Sequence, residues 1–495
     1  MDASRSSDTA SRSSYDEHQA FSRAIAETAA SGNGSAMDPD DLEKDSAARP
    51  QLSRSNTAAS ESHLQRVLTS FFSDRTKSDR KQLVGLFFFN HLLLALVILS
   101  VFSLYWGAMY KRTSYYHKVD ILAVIQDDGP AVQGLPDLIT KVPGNWQVYN
   151  SSYFQQTYDV AQDQIDSEIT KLVHNQHFWM SLNIKPNASN AITDSLQNSA
   201  AKPFNSTLYF ETVYESGRDP TNMKSSILPL MLELEAIYQE AYSADILPKF
   251  LANASQSLSS IPSVNLAQAG SMSFKQIDYR PFSDYVLLGP LQVGLIYCIL
   301  LTFFQLLLFI PMHVQLSPKL KVSHMFFYRY ATSFINYFFM SLFFNLVSLA
   351  FQVDFTKTYG RGGFMVAWMS SWLLMAAVGG ANENMLTFLL TIGTQYAGFW
   401  MIFWVVFNIS PSFYPMDLTN NFYRYGYMTP IFNGVQIFRV IYLDLYPGHL
   451  GRNFGILIAW IVLNTALFPV FMKYFLYKKK QEAMKAAAAQ NQAPQ

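Results

Sequence analysis

The sequence predicts an α-helical polytopic membrane protein with six transmembrane helices and an α+β or α/β extracytoplasmic domain between helices 1 and 2. Half of the 495 residues are hydrophobic, and charged residues make up 15%, against about 25% in ordinary soluble domains. The apolar residues form long blocks, several of which reach the roughly 20 residues that a membrane-spanning helix needs. A single long hydrophilic stretch, residues 113–283, separates the first block from the others.

The N-terminal region is predicted to lie outside the membrane. Residues 1–60 are rich in Ser, Ala, Asp and Arg without an apolar period, which predicts a disordered cytosolic tail. Their start lacks an apolar core, so no cleavable signal peptide is expected. Residues 61–82 are predicted to form an amphipathic juxtamembrane helix, because one helical face collects Leu64, Val67, Leu68, Phe71 and Phe72. This helix either lies on the bilayer surface or simply anchors the first span.

The apolar blocks define the spans and the topology. Residues 83–109 are uncharged and form the first predicted transmembrane helix. A five-helix membrane domain follows over residues 285–475, with spans at 285–312, 328–352, 364–381, 386–408 and 453–475. Basic residues precede the first span and follow the last, at Lys478 to Lys480. The positive-inside rule then predicts that both termini are cytosolic, with residues 476–495 forming a cytosolic tail.

Two charged residues near the predicted spans need an interpretation. Glu383 is the one charged residue between Arg361 and Asp417. The surrounding "GGANEN" is typical of a turn, which places Glu383 at a cytosolic loop between spans four and five. Arg329 is assigned to the basic cluster between spans two and three. The alternative for Glu383 is a buried proton carrier, because an acid inside the bilayer is functional by default.

Residues 113–283 are predicted to form a glycosylated extracytoplasmic domain. "VDILAVIQDD", "HFWMSLNI" and "STLYFETVY" are typical of strands, and two longer stretches are typical of helices. Glycosylation sequons support the outside location and occur at Asn150, Asn187, Asn205 and Asn253. A fifth sequon, at Asn408, lies close to the predicted membrane.

Several kinds of chemistry are not expected. The net charge is zero, so no nucleic-acid partner is predicted, and a single cysteine, Cys298, excludes intramolecular disulfides. No phosphate-binding loop, zinc motif or nucleophile elbow occurs in the sequence. We therefore expect no enzymatic activity, no cofactor and no metal. His174 and His177 are interpreted as a polar helix end, with a metal site as the weaker alternative.

The order of segments suggests a family. Residues 411–447, "PSFYPMDLTNNFYRYGYMTPIFNGVQIFRVIYLDLYP", resemble the reentrant outer hairpin of type-2 ABC exporter permeases. Together with "VDILAVIQDD", "FWMSLNIKPNAS" and "SILPLMLELEAIYQEAY", the chain resembles the fungal nitrosoguanidine-resistance (MNNG-resistance) membrane proteins, which are relatives of phage-infection-protein permeases. The resemblance covers roughly residues 83–475. It implies a permease in the cell membrane (the plasma membrane) involved in efflux, that is, export of small toxic compounds, and hence in drug resistance.

The resemblance also implies partners. These are membrane lipids, a small hydrophobic or toxic molecule and, by analogy with paired exporter halves, a second copy in a homodimer. Whether a separate ATPase subunit supplies energy stays open.

Uncharged polar residues in the predicted spans are candidates for lining a transport pathway, namely Asn90, His91, Gln305, Asn336, Asn345, Gln395 and Asn464. The alternative is that each forms an ordinary hydrogen bond between helices. The competing function is a non-transporting membrane organiser that regulates lipid asymmetry or signalling. The missing ATPase motif and the expected absence of a buried charge pair favour the organiser, whereas the outer domain and the hairpin favour the permease. A receptor is a third possibility.

Overall fold

The computed structural model describes residues 71–256 and 258–491. The predicted tail of residues 1–60, and residues 61–70 of the predicted amphipathic helix, lie outside the described residues. The chain divides into two units, of which the first ends at Arg80 and the second begins at Lys81. In the first unit, a short 3₁₀ helix spans Asp74–Thr76, and the Arg80 guanidinium donates to the Ser73 carbonyl at 3.0 Å.

Helices dominate the described chain. The α-helices, numbered in chain order, are α1 Lys77–Val97, α2 Ser103–Met109, α3 Leu135–Ile139, α4 Ser151–Tyr158, α5 Ile165–His174, α6 Ala188–Gln197, α7 Pro220–Asn222, α8 Leu228–Ala241, α9 Leu247–Asn253, α10 Ser263–Ala269, α11 Gly294–Leu316, α12 Val322–Ala350, α13 Thr356–Tyr359, α14 Gly363–Leu389, α15 Ala397–Ile409, α16 Pro430–Leu443 and α17 Leu450–Asn491.

The hydrophilic region folds around a mixed five-stranded sheet. Its strands are β1 Asp120–Ile125, β2 Asn145–Asn150, β3 Met180–Ile184, β4 Phe210–Tyr214 and β5 Lys275–Asp278. They lie in the order β2-β1-β3-β4-β5. The β1 strand pairs in parallel with β2 and β3, whereas β3 and β4 are antiparallel and β4 and β5 are parallel. The three strands predicted from sequence correspond to β1, β3 and β4.

Both faces of this sheet are buried. Along β1, Ile121 and Ala123 join one apolar cluster, while Leu122 and Val124 join a second. This alternation follows from the two-residue period of a strand, whose side chains point to opposite faces in turn. Helices pack on each side, so residues 113–283 contain an α/β sandwich with its own core.

The membrane domain consists of long apolar helices. Within the part of the chain that the structure describes, five helices have the length and composition to cross a membrane, at Lys77–Met109, Tyr285–Leu316, Val322–Ala350, Thr356–Leu389 and Pro447–Lys485. The predicted fifth span, at residues 386–408, corresponds in part to α15, which has 13 residues. At 1.5 Å per residue, α15 is about 20 Å long, shorter than the roughly 30 Å hydrocarbon core. Six spans therefore stay a prediction.

The interpretation of Glu383 and Arg329 as loop residues is wrong. The α14 helix runs without interruption from Gly363 to Leu389 and includes Glu383, and α12 begins at Val322 and includes Arg329. Both side chains are buried. The "GGANEN" stretch has the composition of a turn, but its residues pack between helices, and the chain turns only after Leu389.

Residues 411–447 contain three short helical elements. Two 3₁₀ helices span Met416–Leu418 and Asn421–Met428, and α16 follows. All but one of the residues of α16 are buried, and the fully buried Leu418 packs into the core of the sheet domain. The segment thus lies between the sheet domain and the long helices. Its insertion into the membrane as a reentrant hairpin stays a prediction.

Candidate functional site in the membrane domain

A buried ion pair lies between two of the long helices. Arg329 on α12 donates from Nη2 to Glu383 Oε1 on α14 at 2.5 Å, and both side chains are less than a tenth exposed. Arg329 is seven residues from the start of α12, and Glu383 is six residues from the end of α14. At 1.5 Å per residue, the pair lies about 10 Å inside that end of the helix bundle.

Neutral groups complete the surroundings of the pair. Ser333 donates to Glu383 Oε2 at 3.0 Å, and Arg329 also donates to the Thr387 hydroxyl at 3.2 Å. The sulfur of Met472 on α17 accepts from Arg329 Nη1 at 3.3 Å. Three helices, α12, α14 and α17, therefore meet at one guanidinium. A charge buried this deeply is tolerated only because its partner and hydrogen bonds offset part of its desolvation.

Asparagines extend the polar cluster along α14. Asn384 donates to the backbone carbonyl of Asn464 on α17 at 3.0 Å, and Asn464 donates back to the carbonyl of Ala377 at 3.1 Å. On the opposite side of α14, Asn382 donates to the Thr302 hydroxyl on α11 at 3.0 Å. The polar residues whose composition resembles a turn therefore form the hydrogen bonds that join α14 to α11 and α17.

Two glycines allow this close packing. A Cβ on Gly379 would come within 2.5 Å of the Tyr337 ring, and a Cβ on Gly380 would come within 2.8 Å of Asn464 Cβ. Real Cβ atoms do not approach other atoms so closely. Helices that pack without a strong hydrophobic driving force rely on small residues of this kind at their contacts.

A cavity of about 300 Å³ adjoins the ion pair. Its wall combines apolar side chains such as Ile310, Leu390 and Phe475 with Arg329 and His313. His313 is 5% exposed, and neither of its ring nitrogens has a hydrogen-bond partner among the described residues. The same holds, within the described chain, for Arg329 Nε. Because buried polar groups are normally paired, the unpaired atoms of His313 and Arg329 mark the wall of this cavity as a place where polar groups are held without a protein partner among the described residues.

The structure separates the seven residues predicted to line a pathway. Asn464 joins the polar cluster, and Asn345 is buried and donates to Ser371 at 2.8 Å. Gln305 is also buried, and Asn336 is half-buried. By contrast, the structure places three of the candidates on exposed positions, at Asn90, His91 and Gln395. These three lie away from the cluster because α1 is exposed along its length and Gln395 belongs to the turn before α15.

The other predicted positions are in the sheet domain and at its edges. The four sequon asparagines, Asn150, Asn187, Asn205 and Asn253, are all exposed, and their glycosylation stays a prediction. Asn408 is fully buried and donates to the Trp404 carbonyl at 2.9 Å, so the folded chain does not offer it for modification. His174 ends α5 and bonds Glu215 at 2.7 Å. Burial raises the pKa of Glu215, and His174 partly offsets that rise.

Sequence reasoning missed the ion pair because each partner had a simpler explanation. Arg329 counted toward a basic loop, and Glu383 stood among turn residues. One signal was available in the sequence. Glu383 is isolated in more than 50 apolar or neutral residues, and an isolated acid in such a setting needs a partner on another helix. The expectation that the chain lacks a buried charge pair is therefore wrong.

The long apolar helices define a membrane protein with several spans, and the ion pair forms a buried polar centre among them. Comparison with known proteins gives the family. The model for a family described as a protein of unknown function (DUF3533) matches residues 90–466, and the chain belongs to this family.

One relative is an uncharacterized endoplasmic reticulum membrane protein, YJR015W, from Saccharomyces cerevisiae. It is 45% identical over 435 residues, which cover 84% of this chain and 85% of the relative. No solved structure matches the chain. Neither finding bears on nitrosoguanidine resistance or on ABC exporters, so that resemblance stays a prediction.

Proposed function

We propose that this protein is a permease that moves small, largely apolar compounds across its membrane, with Arg329 and Glu383 as its coupling centre. The observation that carries this proposal is the ion pair buried between α12 and α14 beside a cavity with unpaired polar groups. Ionisable side chains inside membrane helices are rare and typically mark substrate pathways or proton relays. The chain in this proposal performs transport rather than catalysis and needs no cofactor.

The two charged residues have different roles in the proposed mechanism. Glu383 can take up and release a proton, whereas the guanidinium of Arg329 stays charged in proteins. Protonation of Glu383 removes the negative charge that compensates Arg329. Because Arg329 also contacts Thr387 and Met472, that loss weakens the junction of α12, α14 and α17. A proton gradient could then drive the rearrangement, without a separate ATPase subunit.

The cavity indicates the class of compound. Its apolar wall suits a small hydrophobic molecule, and His313 and Arg329 offer polar contacts at one side. Small-molecule sites commonly have this combination of apolar surface and a few polar groups. Export of nitrosoguanidine-type drugs or metabolites, expected from the family resemblance, belongs to this class.

The proposed location is the endoplasmic reticulum rather than the cell membrane. The yeast relative is named as a membrane protein of that compartment, and it aligns with most of this chain. Glycosylation of residues 113–283 and cytosolic termini are both compatible with this location. A fluorescent fusion at the C-terminus, imaged with markers of both membranes, would decide between them.

A second candidate function, the control of lipid distribution, has its own supporting observation. An apolar groove of about 620 Å³ lies between α11 and α12 and is lined by residues such as Tyr297, Phe304 and Phe344. Its volume and apolar lining suit a lipid acyl chain. In this case the protein would organise the membrane without exporting drugs.

Flux through reconstituted vesicles tests the proposal. The purified full chain is placed in vesicles loaded with a labelled nitrosoguanidine compound, and efflux is followed with a pH gradient, with ATP, or with neither. We expect efflux that a pH gradient accelerates and that ATP leaves unchanged. Efflux equal to that of protein-free vesicles under all three conditions would reject the permease. Fluorescent lipid in the same vesicles then tests the second candidate by its movement between leaflets.

A further inference from the structure

A second polar cavity lies where the sheet domain meets residues 411–452. It measures about 200 Å³ and is lined by three arginines from different elements. Arg218 follows β4 in the sheet domain, Arg439 lies on α16, and Arg452 lies near the start of α17. A single water needs only about 10–15 Å³. The cavity therefore has room for a group of several atoms.

Among the charged side chains that line the cavity, the arginines outnumber the carboxylates, although Glu215 and Asp120 also act on Arg218 from outside the lining. Two carboxylates line the same cavity, Asp219 and Asp417, so three guanidinium groups leave one surplus positive charge. Asp219 Oδ1 already accepts from the backbone and the side chain of Asn222, at 2.9 and 2.8 Å. Asp417 accepts from the Trp179 indole at 2.9 Å. Both carboxylates thus already accept hydrogen bonds from neutral N–H donors.

Much of the donor capacity of the arginines is unused. Arg439 is 6% exposed, and the one ion pair that the described residues give it is with Asp219, at 3.6 Å, beyond hydrogen-bond distance. Arg452 donates to its neighbour Asn453 at 3.3 Å. Arg218 stacks 3.6 Å from the Trp179 ring and donates to the Phe178 carbonyl at 2.8 Å. Arg218 also donates to the Gln176 carbonyl at 3.5 Å. A guanidinium has five N–H donors, so most of the donors of these three side chains have no hydrogen-bond partner among the described residues.

The guanidinium of Arg218 keeps its charge in this setting. Burial lowers the pKa of Arg218 to about 10, with the opposing effect of Asp417 next in size. A pKa near 10 leaves Arg218 fully protonated at neutral pH. The cavity is therefore positive, and a buried positive charge without a matched anion is costly.

We propose that this arginine cavity, formed by Arg218, Arg439 and Arg452, binds the phosphate group of a phosphoester. A planar carboxylate is matched by the fork of one guanidinium, whereas a tetrahedral phosphate can accept from several guanidinium groups that approach from different directions. The three arginines come from the sheet domain, α16 and α17, so a bound phosphate would tie these elements together. The phosphate could belong to a lipid headgroup or to a soluble phosphoester.

Binding measurements distinguish the two sources. The purified full chain is placed in nanodiscs of phosphatidylcholine alone and titrated with glycerol 3-phosphate, and separately in nanodiscs that contain phosphatidic acid. Stabilisation against thermal unfolding reports binding in both cases. Stabilisation by soluble glycerol 3-phosphate indicates a soluble ligand, and stabilisation by phosphatidic acid alone indicates a lipid headgroup. Either result supports the site, whereas the absence of both overturns it.

Variants test whether the effect belongs to this cavity. Arg452→Gln removes one guanidinium, whose protein contacts are the side chain of Asn453 and the Tyr427 ring. This variant should weaken phosphate binding about tenfold, because one charge-assisted hydrogen bond is lost. Gln436→Glu, on the same wall, adds a negative charge and should weaken binding without removing an arginine. Arg424→Gln, an exposed arginine outside the cavity, serves as the matched control. Equal loss in the control, or unchanged binding in both cavity variants, would overturn the proposal.

Discussion

Neutralising Glu383 should destabilise the protein far more than neutralising an exposed acid. The Glu383→Gln variant leaves Arg329 charged in a site where its side chain is 7% exposed. Breaking a buried pair by removing one partner typically costs about 3–5 kcal/mol. The amide oxygen of Gln can still accept from Arg329, and Thr387 continues to accept at 3.2 Å. We therefore expect a loss near the lower limit, about 3 kcal/mol of unfolding free energy.

Removing both charges should restore most of this stability. In the double variant Arg329→Gln, Glu383→Gln, no uncompensated charge remains, and replacing a whole buried pair is often nearly neutral. A double-mutant cycle should give a coupling energy of at least about 2 kcal/mol. Unfolding in mixed micelles with increasing denaturing detergent, followed by tryptophan fluorescence, measures all the variants.

Glu482 provides the matched control. It pairs with Lys479 at 2.8 Å, but both side chains are about half exposed, and such surface pairs contribute about 0–1 kcal/mol. Glu482→Gln should therefore leave stability nearly unchanged. A Glu383→Gln variant as stable as this control, or a double variant less stable than both single variants, would refute the buried ion pair.

Three further predictions concern packing and modification. Gly380→Ala should destabilise the protein by about 1–3 kcal/mol, because the added Cβ would come within 2.8 Å of Asn464 Cβ. Gly398→Ala is the control: its added Cβ would have no atom within 4 Å, so it should leave stability unchanged in the same unfolding assay. Leu418→Ala, in the core of the sheet domain, should cost about 2–5 kcal/mol, and Phe422→Ala, which is 60% exposed, should cost much less. Replacing the four exposed sequon asparagines by Gln should lower the apparent mass on a gel to that of the glycosidase-treated protein, and an unchanged mass would contradict their glycosylation.

The central strands could be predicted from sequence, but the edge strands could not. The β1, β3 and β4 strands lie in the middle of the sheet, and their residues are almost all buried because both faces are covered. The β1 strand is an apolar run, and β3 and β4 combine apolar residues with a few buried polar ones. The edge strands β2 and β5 are partly exposed and carry mixed residues, "NWQVYN" and "KQID". Such segments lack the continuous apolar pattern that marks a central strand.

The site could not be predicted because tertiary contacts override local preference. Gly379 and Gly380 are turn formers by composition, yet their missing side chains allow Tyr337 and Asn464 to approach α14. Asn382 and Asn384 likewise find partners on α11 and α17. Local sequence cannot supply these partners, which lie more than 40 residues away in the chain. The ion pair of Arg329 and Glu383 shares this property.

The proposed coupling centre can be tested most directly by proton movement during transport. Vesicles that contain the protein and an internal pH-sensitive dye are exposed to a gradient of a labelled nitrosoguanidine compound. We predict that the compound gradient changes the internal pH with the wild-type protein, and that the folded double variant Arg329→Gln, Glu383→Gln abolishes both the pH change and the coupled flux. Wild-type flux and pH change in the double variant would contradict the role of the ion pair.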